Sequence, residues 1–113
     1  MHEMSLAEGI LQLVEETASR ERAQRVKLVV LEIGRLSTVE PEALRFCFDA
    51  VTRGSIAQDA ALEIVSIDGQ GWCMQCGQTQ PMVEVHGACP TCGSYQMQAT
   101  AGTEMRVKEI EID

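Results

Sequence analysis

Residues 72–93 read WCMQCGQTQPMVEVHGACPTCG, a segment with two CxxC pairs separated by twelve residues. Each pair makes a tight turn that directs two sulfur atoms towards one point. Four converging thiolates satisfy the tetrahedral coordination of Zn²⁺ and leave no open position, which is typical of a structural site. The spacing therefore predicts a zinc site, with the residues between the pairs forming a hairpin. The predicted ligands are Cys73, Cys76, Cys89 and Cys92.

The same cysteines also allow two other interpretations, a redox-active dithiol and an iron–sulfur cluster. The chain has five cysteines, and in a reducing cytosol two CxxC pairs favour metal ligation over disulfides. We therefore expect a cytoplasmic protein. The fifth cysteine, Cys47, is interpreted as a small buried apolar residue. His86 is interpreted as an exposed hairpin residue, because four sulfurs already complete the site.

The region before the cysteine segment begins with an amphipathic pattern. Ser5 and Glu8 match a capping box, and apolar residues follow at helical spacing. This pattern predicts a first helix from about Leu6 to Arg22. Segments rich in β-branched residues predict three strands. They are Arg25–Ile33, Leu62–Ile67 and Met105–Ile112.

A second helix is expected to begin at Pro41, because proline suits the first helical position. Glu40 or Thr38 would cap this helix, and Gly54 would end it. The apolar side of the helix is predicted to consist of Leu44, Phe46, Cys47, Phe48 and Val51.

Together these elements predict an α+β fold, in which two helices pack on a small three-stranded sheet with an inserted zinc-ribbon-like β lobe. The lobe would comprise residues 70–99. Residues 1–69 and 100–113 would form the α/β domain that carries it, since the last strand returns to the sheet of the first two.

The composition excludes several functions. The formal charge is −8, and Lys and Arg form no cluster, so nucleic acid and anionic membranes are not expected partners. No apolar run approaches the roughly 20 residues of a membrane span. The N-terminus lacks the basic-then-apolar pattern of a signal peptide. A basic or metal-loaded protein suits this charge better as a partner.

The chain begins with Met1, His2 and Glu3, which together offer four nitrogen ligands. The terminal amine, the backbone nitrogens of His2 and Glu3, and the His2 imidazole can form fused chelate rings in one plane. This arrangement suits square-planar Ni²⁺ or Cu²⁺. A mobile terminus without a metal is the alternative interpretation. Glu40 is a candidate outer carboxylate for this site as well as a helix cap.

Several stretches together resemble the HypA/HybF family of hydrogenase nickel-incorporation proteins, and the resemblance spans essentially the whole chain in family order. The matching stretches are MHEMSL at 1–6, LEIG at 31–34, FCFD at 46–49, RGS at 53–55, the paired CxxC motifs and IEI at 110–112.

The resemblance implies a nickel metallochaperone rather than an enzyme. Family members deliver Ni²⁺ to the large-subunit precursor of [NiFe]-hydrogenase together with the GTPase HypB, and some also serve urease. Nickel would be bound through Met1, His2 and Glu3, and zinc through the four cysteines. Some members carry histidines beside the CxxC pairs, but Gly77 and Gly93 stand at those places here. A ligand exchange at zinc is therefore not implied.

Three other functions fit parts of the pattern. A zinc-ribbon protein–protein adaptor without a nickel role is the principal alternative. A nucleic-acid-binding zinc module conflicts with the acidic charge. An enzyme conflicts with the closed metal site and with the absence of a nucleophile or phosphate-binding motif. The oligomeric state is expected to be a monomer or a weak homodimer.

Overall fold

The computed structural model describes residues 2–113, and within this range it contains two helices and six strands. Strands β2, β1 and β6 form one sheet in that order, and β4, β3 and β5 form a second. This arrangement confirms the predicted α+β class. The elements are α1 (Glu3–Arg20), β1 (Val26–Gly34), α2 (Pro41–Thr52), β2 (Ala61–Ile67), β3 (Gln70–Cys73), β4 (Gln78–Pro81), β5 (Met97–Ala101) and β6 (Met105–Ile112).

The chain divides into two compact units. Unit 1 comprises the residues up to Leu31 together with Val39–Ile64 and Val107–Asp113. Unit 2 comprises Glu32–Thr38 and Val65–Arg106, and it contains all of the cysteine segment. Neither helix in the described range is long and apolar enough to cross a membrane.

Helix α1 begins three residues earlier than predicted. It starts at Glu3 with His2 as its N-cap, and the Leu6 N–H donates to the His2 carbonyl at 3.0 Å. The expected Ser5 capping box is therefore wrong, because Ser5 already lies within the first helical turn and no side chain caps this end. The apolar face is spaced by three or four residues, as a helix requires. It consists of Ala7, Ile10, Val14 and Ala18.

Helix α2 packs against α1 within unit 1 and begins at Pro41, as predicted. Its buried side chains are Leu44, Phe48 and Thr52, which lie four residues apart on one face. Phe46 was expected on this face but is 75% exposed, because two residues correspond to about half a helical turn. The buried hydroxyl of Thr52 is satisfied by donating to the Phe48 carbonyl at 2.8 Å.

Strand β1 supplies most of the strand residues in the core because it lies between β2 and β6. The consecutive residues Val29, Val30 and Leu31 are all buried, so both faces of the strand are covered at this point and its apolar residues do not alternate with polar ones. The flanking strands β2 and β6 alternate more regularly between half-buried and exposed positions. The buried apolar residues of β1 are Val26, Val29, Val30, Leu31 and Ile33.

In unit 2 the central strand is β3, which pairs antiparallel with both β4 and β5. Residues 77–88, between the CxxC pairs, do not form the predicted hairpin with one another. Strand β4, which lies among them, pairs instead with β3, which ends at the first cysteine. Strand β5 was not predicted, because its sequence MQATA has little β-branched or aromatic content.

Three glycines let distant segments of unit 2 approach without side chains between them. A Cβ atom on Gly34 would overlap the Gly102 carbonyl, and one on Gly69 would overlap the Met82 carbonyl. Gly102 has φ +100° and lies against the Gly69 backbone. Hydrogen bonds link the same segments, from the Leu36 N–H to the Gly102 carbonyl at 2.8 Å and from the Met82 N–H to the Gly69 carbonyl at 3.0 Å. We call Gly34, Gly69 and Gly102 the glycine junction.

We predict that Gly34→Ala lowers the free energy of unfolding by about 1–3 kcal/mol, because the added methyl group would push two backbones apart. Gly9→Ala is the matched control. Gly9 is exposed in α1 with open space around its Cα, so alanine there should raise stability by about 0.5–1 kcal/mol. Urea unfolding followed by circular dichroism measures both changes. A Gly34→Ala protein as stable as the parent would contradict the close packing of the junction.

Candidate metal sites

The four predicted cysteine ligands come together in unit 2. Their sulfur atoms all lie within 4.8 Å of one another. The Cys73 and Cys92 sulfurs are 3.7 Å apart, and the Cys76 and Cys89 sulfurs are 3.9 Å apart. A tetrahedron with metal–sulfur distances near 2.3 Å has sulfur–sulfur edges of about 3.8 Å. Both of these edges match those of a tetrathiolate metal site.

Both CxxC turns have the same backbone geometry. The Gly77 N–H donates to the Cys73 carbonyl at 2.8 Å, and the Gly93 N–H donates to the Cys89 carbonyl at 2.8 Å. The two glycines have φ +65° and +76°, a conformation that residues with a Cβ rarely adopt. Each glycine thus closes a knuckle, and the two cysteines of that knuckle can then face one point.

Backbone amides also stabilise the sulfurs. The Cys76 N–H donates to the Cys73 sulfur at 3.3 Å, and the Thr91 N–H donates to the Cys89 sulfur at 3.4 Å. Bonds of this kind orient ligand sulfurs and stabilise their negative charge. The role of Thr91 was missed in the sequence analysis, since the identity of a residue inside a CxxC turn does not reveal what its amide contacts.

The two knuckles differ in thiol acidity. Burial raises the pKa of Cys89, but the Cys92 and Thr91 N–H groups that donate to its sulfur outweigh burial and lower the pKa to about 7. The pKa of Cys76 is raised to about 12, first by its hydrogen bond with the Cys92 thiol and then by burial. One sulfur is therefore ready to bind a cation near neutral pH, whereas another must lose a proton when the cation arrives.

His86 and Cys47, the two residues that the prediction left out of the zinc site, also lie outside the cluster. Among residues 2–113, the metal-ligand group consists of the four cysteines without His86, which is exposed. Cys47 lies on α2 and is half-buried.

The N-terminal candidate site is described from His2 onward, and Met1 lies outside the described residues. His2 is exposed and is the N-cap of α1, and Glu3 is the first helical residue. The first amides of an α-helix have no carbonyl acceptor within the helix. The Glu3 N–H is therefore not part of the helical hydrogen-bond ladder, and losing its proton would break no helical bond.

The Glu3 carboxylate connects the starts of the two helices. It accepts a hydrogen bond from the Glu40 N–H at 3.2 Å, and this bond lowers the pKa of Glu3. The Glu40 carboxylate in turn accepts from the Glu42 N–H at 3.4 Å and caps α2. Glu40 was considered both as the cap of α2 and as an outer carboxylate of the nickel site. In the structure its side chain caps α2. Sequence reasoning missed the contact of its backbone with Glu3.

Comparison with known proteins agrees with this fold. The family model described as "Hydrogenase/urease nickel incorporation, metallochaperone, hypA" matches residues 1–112. A hydrogenase maturation factor HypA from Dechloromonas aromatica is 76% identical over 113 residues, which is all of both chains. The HypA of Albidiferax ferrireducens is 62% identical over the same full length.

Solved structures match as well. The solution structure of the Ni metallochaperone HypA from Helicobacter pylori has a TM-score of 0.71 and 29% identity, covering 99% of this chain and 97% of that one. A second solution structure of a HypA protein has a TM-score of 0.74 and 30% identity, covering 99% and 96%.

The helix pair, the two small sheets and the four-cysteine cluster define a metal-binding accessory protein. The match over the whole chain makes the assignment specific, and the chain belongs to the HypA family of hydrogenase and urease nickel-incorporation metallochaperones. The family resemblance predicted from the sequence is thereby confirmed. So is the prediction that the protein is not an enzyme, because the family consists of metallochaperones.

We predict that chelating the metal under reducing conditions unfolds residues 72–93 and leaves the helices of unit 1 folded. The cluster supplies two of the few buried side chains of this segment, Cys73 and Cys89, so little else holds it together. Trp72 precedes the first ligand and is 43% exposed, and its fluorescence should change while the helical circular dichroism persists. Unaltered emission after verified removal of the metal would count against this prediction.

We also predict that metal binding weakens as the pH falls. Cysteine binds a metal as the thiolate, so each protonated ligand must lose a proton when the metal enters. Competition titrations with a chelator from pH 6 to pH 8.5 measure the affinity, and an affinity that does not change with pH would contradict ligation by thiolates.

Proposed function

We propose that this chain binds Ni²⁺ at its N-terminus and delivers it to the large-subunit precursor of [NiFe]-hydrogenase. The observation that carries the proposal is the match of residues 1–112 to a family described by nickel incorporation. The proposed nickel ligands are the amine of Met1, the backbone nitrogens of His2 and Glu3, and the His2 imidazole. Four nitrogens in a plane are a favourable ligand set for Ni²⁺.

The surroundings of the terminus support this role. His2 is exposed, so a metal can enter and leave without unfolding anything. Glu3 is held through its carboxylate by the Glu40 N–H at 3.2 Å. The backbone that would bind the cargo is thus fixed at its Glu3 end. Such a site favours transfer over storage, because few protein contacts must break for the metal to depart.

We propose Zn²⁺ as the resident metal of Cys73, Cys76, Cys89 and Cys92. Four sulfurs within 4.8 Å of one another can complete its coordination, and a closed site contributes folding energy instead of reactivity. When bound, zinc would cross-link the two knuckles and maintain the shape of unit 2. The same cluster without a nickel site would serve a protein–protein adaptor, which is the alternative function.

The proposed partners are a HypB-type GTPase and the hydrogenase precursor, and the proposed location is the cytoplasm. The net charge of −8 favours association with a basic or metal-loaded surface and disfavours nucleic acid. The curated relatives named hydrogenase maturation factor HypA support a role in the same process. We propose a monomer or a weak homodimer.

A single glycine placed before Met1 tests the nickel site. The extension moves the amine out of the chelate without altering any cysteine or helix, so nickel binding should be lost while zinc content and fold remain. Calorimetry and the absorption of square-planar Ni²⁺ measure binding. The chain without the extra glycine, purified in the same way, is the control.

His2→Ala provides a second test of the same site. It removes the imidazole from an exposed residue and should abolish both nickel binding and activity in a hydrogenase-maturation assay. If either variant retained normal nickel affinity and zinc content, the terminal site would be refuted. If the unextended chain bound zinc but no nickel, the adaptor would be the better description.

A further inference from the structure

Strand β4 has one buried side chain, and it is polar. Gln80 is only 8% exposed, whereas its strand neighbours are exposed. In the β3–β4 ladder Gln80 lies directly opposite Gly71, and Cys73 lies two residues further along β3. Directly paired residues share a face of the sheet, and so do residues two apart on one strand. Gln80 therefore lies on the same face as the first metal ligand.

The Gln80 side chain has a partner in the second knuckle. The Thr91 hydroxyl donates to the Gln80 Oε1 atom at 3.1 Å. The backbone N–H of the same threonine donates to the Cys89 sulfur at 3.4 Å. A short path of two hydrogen bonds thus runs from the sheet through Thr91 to a ligand sulfur.

The two knuckles are attached to the sheet in different ways. The first begins with Cys73, which belongs to β3 and is held by strand pairing on both sides. The second lies outside the strands. Its backbone bonds, from the Cys89 N–H to the Ser94 carbonyl and from the Gly93 N–H to the Cys89 carbonyl, close it upon itself. The side chain of Thr91 instead reaches out of the knuckle to the sheet.

We propose that Gln80 and Thr91 form a polar tether that positions the Cys89–Cys92 knuckle over the sheet and thereby sets how firmly the four-cysteine site retains its metal. The inference rests on the proposed zinc site and adds two positioning residues to it. A buried amide left without a partner is costly, so the bond also favours one placement of the knuckle over others. Groups behind the ligands commonly change metal affinity by tenfold or more.

Thr91→Val tests the tether, since it keeps the shape of the side chain and removes the hydroxyl. Thr91 is exposed, so the substitution opens no cavity. Zinc transfer from the loaded protein to an excess of chromogenic chelator should be about threefold to tenfold faster, as expected for the loss of one hydrogen bond to a buried group. Thr91→Ser keeps the hydroxyl and should restore the slow rate.

The same sheet offers matched controls. Thr79→Val makes the same chemical change on an exposed residue that pairs with Trp72. Gln98→Met repeats the change of Gln80→Met on an exposed residue of β5 that also pairs with Trp72. Both controls should release zinc at the parental rate. Gln80→Met should release zinc faster, and combining it with Thr91→Val should add nothing further, because both remove the same bond.

Cobalt(II) substitution separates positioning from ligation. The visible spectrum of Co²⁺ reports its ligands, and Thr91→Val should keep the four-sulfur spectrum while losing the metal faster. Parental release rates in both Thr91→Val and Gln80→Met would overturn the tether and leave the zinc site standing. A parental protein without firmly held zinc would overturn the proposed metal and the tether with it.

Discussion

The convergence of four sulfur atoms is the constraint on which unit 2 depends. Between Gln70 and Ala101 the buried side chains are those of Cys73, Gln80, Met82 and Cys89, and two of these four are ligands. Such a segment buries too little apolar surface to offset the entropy of ordering its loops. Sulfurs this close together can hold a cation, and its binding would supply the missing free energy. The surrounding knuckles and strands then follow from the need to present those sulfurs.

The two candidate sites place opposite demands on the chain. Glycine turns and amide donors hold the sulfur cluster in place, with Cys73 and Cys89 buried and Cys92 exposed. The N-terminus has an exposed His2 ahead of a helix, with Glu3 held by the Glu40 amide. In our proposal the first site maintains shape and the second exchanges cargo. A short polypeptide can combine both because the first uses side chains and the second uses mainly backbone nitrogens.

Those parts of the fold and of the candidate site that depend on local chemistry could be predicted from the sequence. Pro41 and Glu40 define the start of α2, and the CxxC spacing identifies the residues that cluster. The errors occurred where tertiary contacts override local pattern. The capping motif at Ser5 predicted a later start for α1, but the helix begins at Glu3, whose carboxylate accepts a hydrogen bond from the distant Glu40 N–H. Strand β5 has weak intrinsic preference and exists because β3 offers it a free edge. Likewise, nothing local to Gln80 or Thr91 predicts that they meet.

The glycine junction has a consequence for how the protein is made. Gly34 and Gly102 meet backbone to backbone, although they lie 68 positions apart in the sequence. Strand β1 can complete its hydrogen bonds on one edge only when β6 is present, because the two strands are neighbours in the sheet. Contacts between residues so far apart form late, since a long loop must close before they do. One edge of the central strand therefore stays unpaired until residues 105–112 have been synthesised and have folded against it.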